Sequence, residues 1–453
     1  MLLQFSVSNY RCFRDRVTLN MAASSQDKSL PGNVIERKLP GIAGGRWLKG
    51  VVLYGANASG KSTVVQALGA LSELVRTSAK ITDRKEPIAQ IEPFALCPGQ
   101  EQVPTAFSIA FVAGDVRYEY RVAATRDRIW HESLRAAPKS KEQLWFSRDY
   151  DPKADRYHFS PERPTGFRRD PQLEGYTLPN VLFLSKAIAN NRTDLEPVFN
   201  WLTQGLRIFD MSTGNPFGMS FSATLMGLQD ASLGAQIRKL LRHADLGVTD
   251  AQAVEWTPAR SSHLSDEYEK RLQQRHFQNF ELFKQGLKIP ELTHRGSGSD
   301  VPLPWDRESA GTRRFFSLLG PWLGFLDART TFCLDELDTS LHPLMVRELL
   351  RLYFSSDTNQ KGAQLLFTTH NPLLLDTALL RRDQIWFTDK DDEGAAHLYP
   401  LSDYQPRKGE SLTRGYLSGR YGAVPFLPEG VFAAAAAPAA ASSKSLGKKA
   451  RRG

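Results

Sequence analysis

The chain opens on alternating apolar and polar positions. Leu3, Phe5 and Val7 alternate with Gln4, Ser6 and Ser8, the period-2 pattern of a half-buried strand. A continuous apolar run, Val51-Val52-Leu53-Tyr54, leads through a glycine-rich turn into a helical stretch from Ser62 to about Arg76. Between residues 105 and 185 the alternation returns, first with Phe107, Ile109 and Phe111, then with Tyr118, Tyr120 and Val122. That pattern predicts an antiparallel sheet attached to a parallel core. Residues 191–295 read as a charged helical insertion, carried by LGAQIRKLLRHADL and SDEYEKRLQQRHFQNFELFKQ. The Gly/Ser/Pro-rich segment HRGSGSDVPLPW brings the chain back to the core. There Thr331–Leu334 and Gln364–Phe367 are short apolar strands, each running into a polar loop and a helix. The predicted organisation is an α/β head formed by residues 1–190, which include the β-lobe, and residues 296–430. The helical insertion 191–295 interrupts it, and a disordered basic tail occupies 431–453.

Composition narrows this picture. With 453 residues, 41% of them hydrophobic, the chain can bury a full core without disulfide or metal staples. Cys12, Cys97 and Cys333 are scattered and form no CxxC or Cys/His cluster, which excludes a disulfide scaffold and argues against structural zinc. The longest apolar stretches are broken by Gly and Pro well short of the roughly 18 residues of a membrane span. The N-terminus lacks the basic-then-apolar order of a signal peptide. A cytoplasmic protein with no membrane partner is expected. The net charge of +9 invites a nucleic-acid reading, but Lys444, Lys448, Lys449, Arg451 and Arg452 all lie in the last 21 residues, which hold no acid. The remainder carries +4, an ordinary value.

Candidate chemistry begins at residues 55–62, GANASGKS, which match the phosphate-loop pattern GxxxxGK[ST] between a strand and a helix. Gly55 and Gly60 let backbone N–H groups wrap phosphates at a helix N-terminus, with Asn57, Ser59 and Thr63 completing the cradle. Lys61 supplies a point charge, and the Ser62 hydroxyl is a Mg²⁺ ligand. The apolar run TFCLDE, residues 331–336, ends in two carboxylates, which are costly beside a buried strand unless they bind a cation or activate water. Asp335 suits the Mg²⁺-organising role, and Glu336 the base that acts on the attacking water.

Further along, ESAGT (308–312) opens a helix before the acidic strand, CLDELDTSLHP (333–343) follows it, and FTTHNP (367–372) ends a later strand. Together with GANASGKS and the opening FSVSNYRCF, this order resembles the ABC-type ATPases of the SMC, RecF and overcoming-lysogenisation-defect groups. The resemblance implies ATP and Mg²⁺ as cofactors and a homodimer sandwiching two ATPs, with higher homo-oligomers open. Ser309 and Gly311 would bind the γ-phosphate of the opposite protomer, Asp338 would lie in the loop crossing the interface, and His370 would be the switch histidine. The segments RRDQIWFTDKDDEGAAHLYPLSDYQPRKGE and GYLSGRYGAVPF narrow the likeness, over residues 1 to about 427, to bacterial ATPases of the RloA-like and abortive-infection group. The ATPase subunit of the PARIS anti-phage system is similar. That resemblance implies an ATPase that senses or scaffolds and controls a separately encoded effector, a nuclease or toxin. The alternative is a RecF- or SMC-like repair or chromosome-maintenance ATPase whose partner is DNA.

The signature departs from the family pattern, reading ESAGT where relatives have LSGGQ, so Ser309 and Gly311 are the positions that transfer. Gln90, before PFAL, is the candidate for the family's Q-loop glutamine, and Asn9 and Arg11 in SNYRCF are candidates to reach nucleotide. Asp389-Lys390-Asp391-Asp392 imitates part of a nuclease site, but too little ordered α/β sequence follows for that domain. It reads as a solvated loop, and no nuclease activity of the chain's own is expected. The basic run Arg126, Arg128, Arg135, Lys139 and Lys141, with Trp130, reads as a solvated face of the β-lobe, with nucleic-acid contact as the alternative.

Overall fold

The computed structural model describes residues 1–39, 42, 44–139, 141–209, 219–255, 288–407 and 409–425. Two large sheets dominate. The first is antiparallel, with seven strands: β1 (Leu2–Ser8), β2 (Val17–Asn20), β6 (Thr105–Ala113), β7 (Val116–Ala124), β8 (Ile129–Ala137), β9 (Gln143–Asp151) and β10 (Arg156–Ser160), in the order β10-β9-β8-β7-β6-β1-β2. The second has six strands: β5 (Gly50–Gly55), β11 (Leu206–Phe209), β15 (Thr331–Leu334), β16 (Gln364–Thr368), β17 (Ile385–Lys390) and β18 (Ala396–Pro400). Its order is β11-β15-β16-β5-β17-β18, parallel throughout except for the antiparallel edge strand β18. A small hairpin pairs β3 (Val34–Glu36) with β4 (Arg46–Leu48). The expected α/β head with an antiparallel β-lobe is what the chain forms.

The apolar runs explain the layering. Every residue of β5, β15 and β16 is buried, as a parallel sheet covered on both faces requires. Side chains alternate between two cores. Val51, Leu53, Cys333 and Leu366 face the helix Lys61–Thr77 and the β-lobe, whereas Val52, Tyr54, Phe332, Leu334, Leu365 and Phe367 face the helices Ala310–Leu326 and Pro343–Phe354. The β-lobe keeps its own buried polar centre. Glu132 accepts hydrogen bonds from the backbone N–H of Phe183 (2.6 Å) and Leu184 (2.9 Å) and from the Tyr120 hydroxyl (2.8 Å). Nearby, Arg148 donates to the carbonyls of Val181 (2.7 Å) and Leu178 (2.9 Å) and stacks on Tyr157 at 3.9 Å. These contacts dock the helix Phe183–Ala189 onto the sheet.

Two expectations need correction. The strands of the lobe end at Ser160, so residues 161–185 hold coil and short helices instead of further strands. Residues 191–295 are not uniformly helical. Leu206–Phe209 belongs to the central sheet, and β12 (Val248–Glu255) pairs with β13 (Lys288–His294), which pairs with β14 (Val301–Leu303) inside the expected hinge. Pro290 disfavours helix and the β-branched Val248, Thr249, Val254, Ile289 and Thr293 favour strand there, and the strongly charged flanks obscured that preference. The helices Met219–Gly227 and Ala231–His243 do form. The charged stretch 265–285 and the basic tail lie outside the described residues.

The helix Ala310–Leu326 contains Pro321, which cannot donate to the carbonyl of Ser317. Thr224, fully buried on the crossing helix, repairs the gap: its hydroxyl donates to Ser317 O at 3.2 Å and accepts from Gly320 N at 2.9 Å. A Cβ at Gly320 would lie 2.4 Å from Thr224 Cα, so glycine allows this approach. Thr224→Val should therefore leave a buried carbonyl unsatisfied and lower stability by about 1–3 kcal/mol, read from the midpoint of chemical denaturation.

Candidate nucleotide-binding site

β5 ends at Gly55, and the helix Lys61–Thr77 begins six residues later. The turn between them needs left-handed backbone at Ala58 (φ 59°) and Gly60 (φ 111°). Glycine at 55 is also steric, since a Cβ there would meet both Ser59 Oγ and Thr388 Oγ1 at 2.4 Å. Those two hydroxyls hydrogen-bond at 2.6 Å and tie the loop to β17. Asn57 and Ala58 are exposed at the rim, Ser62 is half-buried, and Thr63 accepts a bond from Cys12 Sγ at 3.2 Å. Lys61 folds back over the loop, its ammonium donating to the carbonyls of Gly55 (2.9 Å) and Ala56 (2.8 Å). Burial brings its pKa down to about 8, opposed by the carboxylates of Asp335, Glu336 and Asp338.

The acidic strand arrives beside this loop through sheet order. β16 lies between β15 and β5, pairing Leu334 with Phe367 and Leu53 with Thr368. One step beyond the first pairing, Asp335 stands next to Thr368, whose hydroxyl donates to Asp335 Oδ1 at 2.6 Å and accepts from Glu336 N at 2.8 Å. Asp335 is buried. Glu336 is half-buried and sits at φ 50°, a left-handed conformation that costs a non-glycine residue about 1–2 kcal/mol. Leu337 N to Thr368 O (3.1 Å), Arg314 Nη2 to Glu336 O (2.8 Å) and Thr339 Oγ1 to Glu336 Oε2 (3.1 Å) hold it there. Burial lowers Arg314 to about 10, against the pull of Glu336 and Asp338. His370, exposed just past the end of β16, is held below the ordinary histidine value by partial burial and by the charge on Lys61. Lys61, Asp335, Glu336, Asp338 and His370 thus lie within electrostatic reach of one another at one end of the sheet.

Ser309 and Gly311 occupy a different place. Ser309 caps the helix Ala310–Leu326, accepting from Thr312 N at 3.0 Å, and a Cβ at Gly311 would sit 3.0 Å from Ser340 O. Gly311 thus packs against the loop after Glu336. Glu308, buried beside Ser309, is hydrogen-bonded to His294 of β13 at 2.8 Å.

The weaker candidates are used elsewhere. Gln90 reaches Thr77 Oγ1 at 3.4 Å, at the far end of the phosphate-loop helix, roughly 24 Å from Lys61 at 1.5 Å per residue. Asn9 pins the 94–103 segment through Phe94 N, Gln100 O and Val103 O, and Arg11 is engaged with Glu92 and Gln66. The expected solvated loop Asp389–Asp392 is only half loop: Asp389 and Lys390 end β17, paired with β18, and Asp389 accepts from Tyr399, while Asp391 caps the turn that follows. Arg128 pairs with Asp127 and Arg135 with Glu142, while Arg126 Nε donates to the Ile91 carbonyl. Thr368 lies in FTTHNP and Glu308 in ESAGT, but their bonding roles, like those of Arg314, Thr388 and His294, carry no sequence signal, because they arise from neighbours distant in sequence.

The donor set fits Mg²⁺ and a nucleotide. No group of three or more His, Cys, Asp or Glu side chains placed for a metal ion exists among the described residues. A hydroxyl and one carboxylate is instead the sparse set that Mg²⁺ uses when phosphates and water complete its shell. No helix among the described residues is long and apolar enough to cross a membrane.

Comparison with curated proteins finds no match. Three solved structures are similar. One is an SMC head bound to the C-terminal winged-helix domain of ScpA (12% identity, TM-score 0.43, covering 89% of this chain and 99% of that chain). Another is the SMC head domain from Thermotoga maritima (11%, 0.38, 88% and 98%). The third is an SMC head with an extended coiled coil bound to the C-terminal domain of ScpA, derived from Pyrococcus furiosus (11%, 0.39, 89% and 97%). A family model matches residues 51–376, the span from the phosphate-loop strand to just past His370. The chain therefore belongs to the AAA-type ATPase family described as "AAA domain, putative AbiEii toxin, Type IV TA system".

Proposed function

We propose that this chain binds ATP with Mg²⁺ in the loop Gly55–Ser62, hydrolyses it through Glu336, and uses the cycle to close and open a homodimer that controls a separately encoded effector. The observation that carries the reading is the Thr368 hydroxyl, which joins Asp335 and Glu336 on the strand directly beside the phosphate-loop strand.

Lys61 leaves the carbonyls of Gly55 and Ala56 and donates to the β- and γ-phosphates, while N–H groups at the start of its helix take the remaining phosphate oxygens. Ser62 and Asp335 would hold Mg²⁺, which would supply neutralisation of developing phosphate charge. Glu336 accepts the proton of the attacking water, and the His370 imidazole hydrogen-bonds near the γ-phosphate. Ser309 and Gly311, at the start of the helix Ala310–Leu326, complete the site of the partner protomer. Because their helix also carries Arg314, which holds the Glu336 carbonyl, engagement in one site is coupled to the catalytic loop of the other.

Glu336→Gln should retain ATP binding, lose turnover by about 10²–10⁴-fold, and accumulate an ATP-dependent dimer in light scattering. Equal turnover in the two proteins would remove Glu336 from this role.

Control of an effector in anti-phage defence is supported by the resemblance of the late segments to abortive-infection ATPases and by the toxin–antitoxin description of the family. The product of the adjacent open reading frame is expected to co-purify with this chain and to be a nuclease or toxin. A neighbour without such chemistry, or one that does not bind, would contradict the effector role.

A further inference from the structure

A second cavity lies at the opposite end of the central sheet from the phosphate loop. It measures about 850 Å³, within the range of small-molecule sites. Lys49 enters it immediately before β5, Arg329 two residues before β15, and Lys361 three residues before β16. The cavity is therefore built at the amino ends of the strands whose carboxyl ends carry Gly55, Asp335 and His370, roughly 20 Å away for a six-residue strand. The β-lobe and the small hairpin close it with Val112, Asp115 and Arg37.

Its charge is not balanced. Lys49 is only 5% exposed, yet its ammonium, with three donors, makes one long hydrogen bond, to Asn359 O at 3.3 Å. No carboxylate stands within ion-pair distance of it among the described residues. Arg329 likewise has no hydrogen-bond or ion-pair partner among the described residues. Arg37 is neutralised by Asp115 (2.8 Å) and Lys361 by Asp327 (2.7 Å), which leaves Glu36 as the other acid on the rim. A buried, unpaired ammonium is expensive, and burial indeed lowers the Lys49 pKa. Natural proteins keep such a group where an anion completes it.

We infer that this cavity is a second anion site, which takes a phosphate-bearing small molecule of mononucleotide size between Lys49 and Arg329. The anion meets the free donors of Lys49 in the interior and the guanidinium fork of Arg329 at the mouth, while Val34, Val112 and Trp201 offer an apolar wall to the rest of the ligand. Since the cavity is lined by β6 of the lobe and by the segments that enter the central sheet, occupancy ties the β-lobe to the ATPase core. The site does not depend on the proposed hydrolysis, because it shares no residue with the phosphate loop.

The test uses full-length Lys61→Ala protein, so that the phosphate loop does not contribute, with inorganic pyrophosphate and 5′-AMP as probes in thermal unfolding. Each probe is compared with sodium chloride at equal ionic strength. A saturable rise in midpoint is expected, with the apparent affinity falling at least about tenfold when either Lys49→Met or Arg329→Ala is added. A larger response to 5′-AMP than to pyrophosphate identifies a nucleotide, and the reverse a smaller phosphate. Lys49→Met removes a buried charge and fills the same space, so that protein should fold at least as stably, and Arg329→Ala alters an exposed residue. No rise beyond the salt control, or a rise that survives both substitutions, overturns the proposal.

Discussion

The hydroxyl of Thr368 sits where the two halves of the candidate site meet. It donates to Asp335 and accepts from the backbone of Glu336, and its strand is paired on its other side with the strand that launches the phosphate loop. Parallel pairing makes this arrangement possible. Three strands with their carboxyl ends at one edge deliver Gly55, Asp335 and His370 to that edge, even though the first and last are 315 residues apart in the chain. Were the register of β15 shifted by one residue, Asp335 would exchange faces with Leu334, and a carboxylate would be driven into the helix-covered core.

Around that edge, strain and repair are distributed by position. The left-handed backbone of Glu336 is held by hydrogen bonds at its own N–H and carbonyl and at the N–H of Leu337. The helix that carries Ser309 is broken by Pro321 and mended by a side chain from another helix, so its placement depends on the segment 219–227. Ser309 is bordered by Glu308, which is bonded to His294 on a strand leading out of the insertion. The region between the halves of the head is therefore bonded to the neighbour of Ser309, one of the residues proposed to reach across the dimer.

What could be read from the sequence was what is local. GANASGKS and TFCLDE announce themselves because loop, strand end and chemistry lie within eight residues. The layering was legible as well, since uninterrupted apolar runs report a sheet buried on both faces and alternating runs a sheet with one open face. Sheet order was not legible, and with it went the role of Thr368: FTTHNP marks the position, but its bonds to Asp335 and Glu336 exist only once β16 is placed between β15 and β5. The pair β12–β13 was hidden by charged neighbours whose helical period dominated the reading. Gln90 had a suitable spacing in sequence and an unsuitable place in space. Nothing beside Lys49 in the sequence marks it, because its burial depends on segments distant in the chain.

The central claim is that Asp335 and the phosphate loop form one Mg²⁺–nucleotide site. Calorimetric titration of ATP into wild-type and Asp335→Asn protein, each with Mg²⁺ and with a chelator, tests it most directly. Wild type should bind ATP more tightly with Mg²⁺, by about tenfold or more, and Asp335→Asn should show the same affinity in both conditions. An undiminished Mg²⁺ dependence in Asp335→Asn would contradict the account.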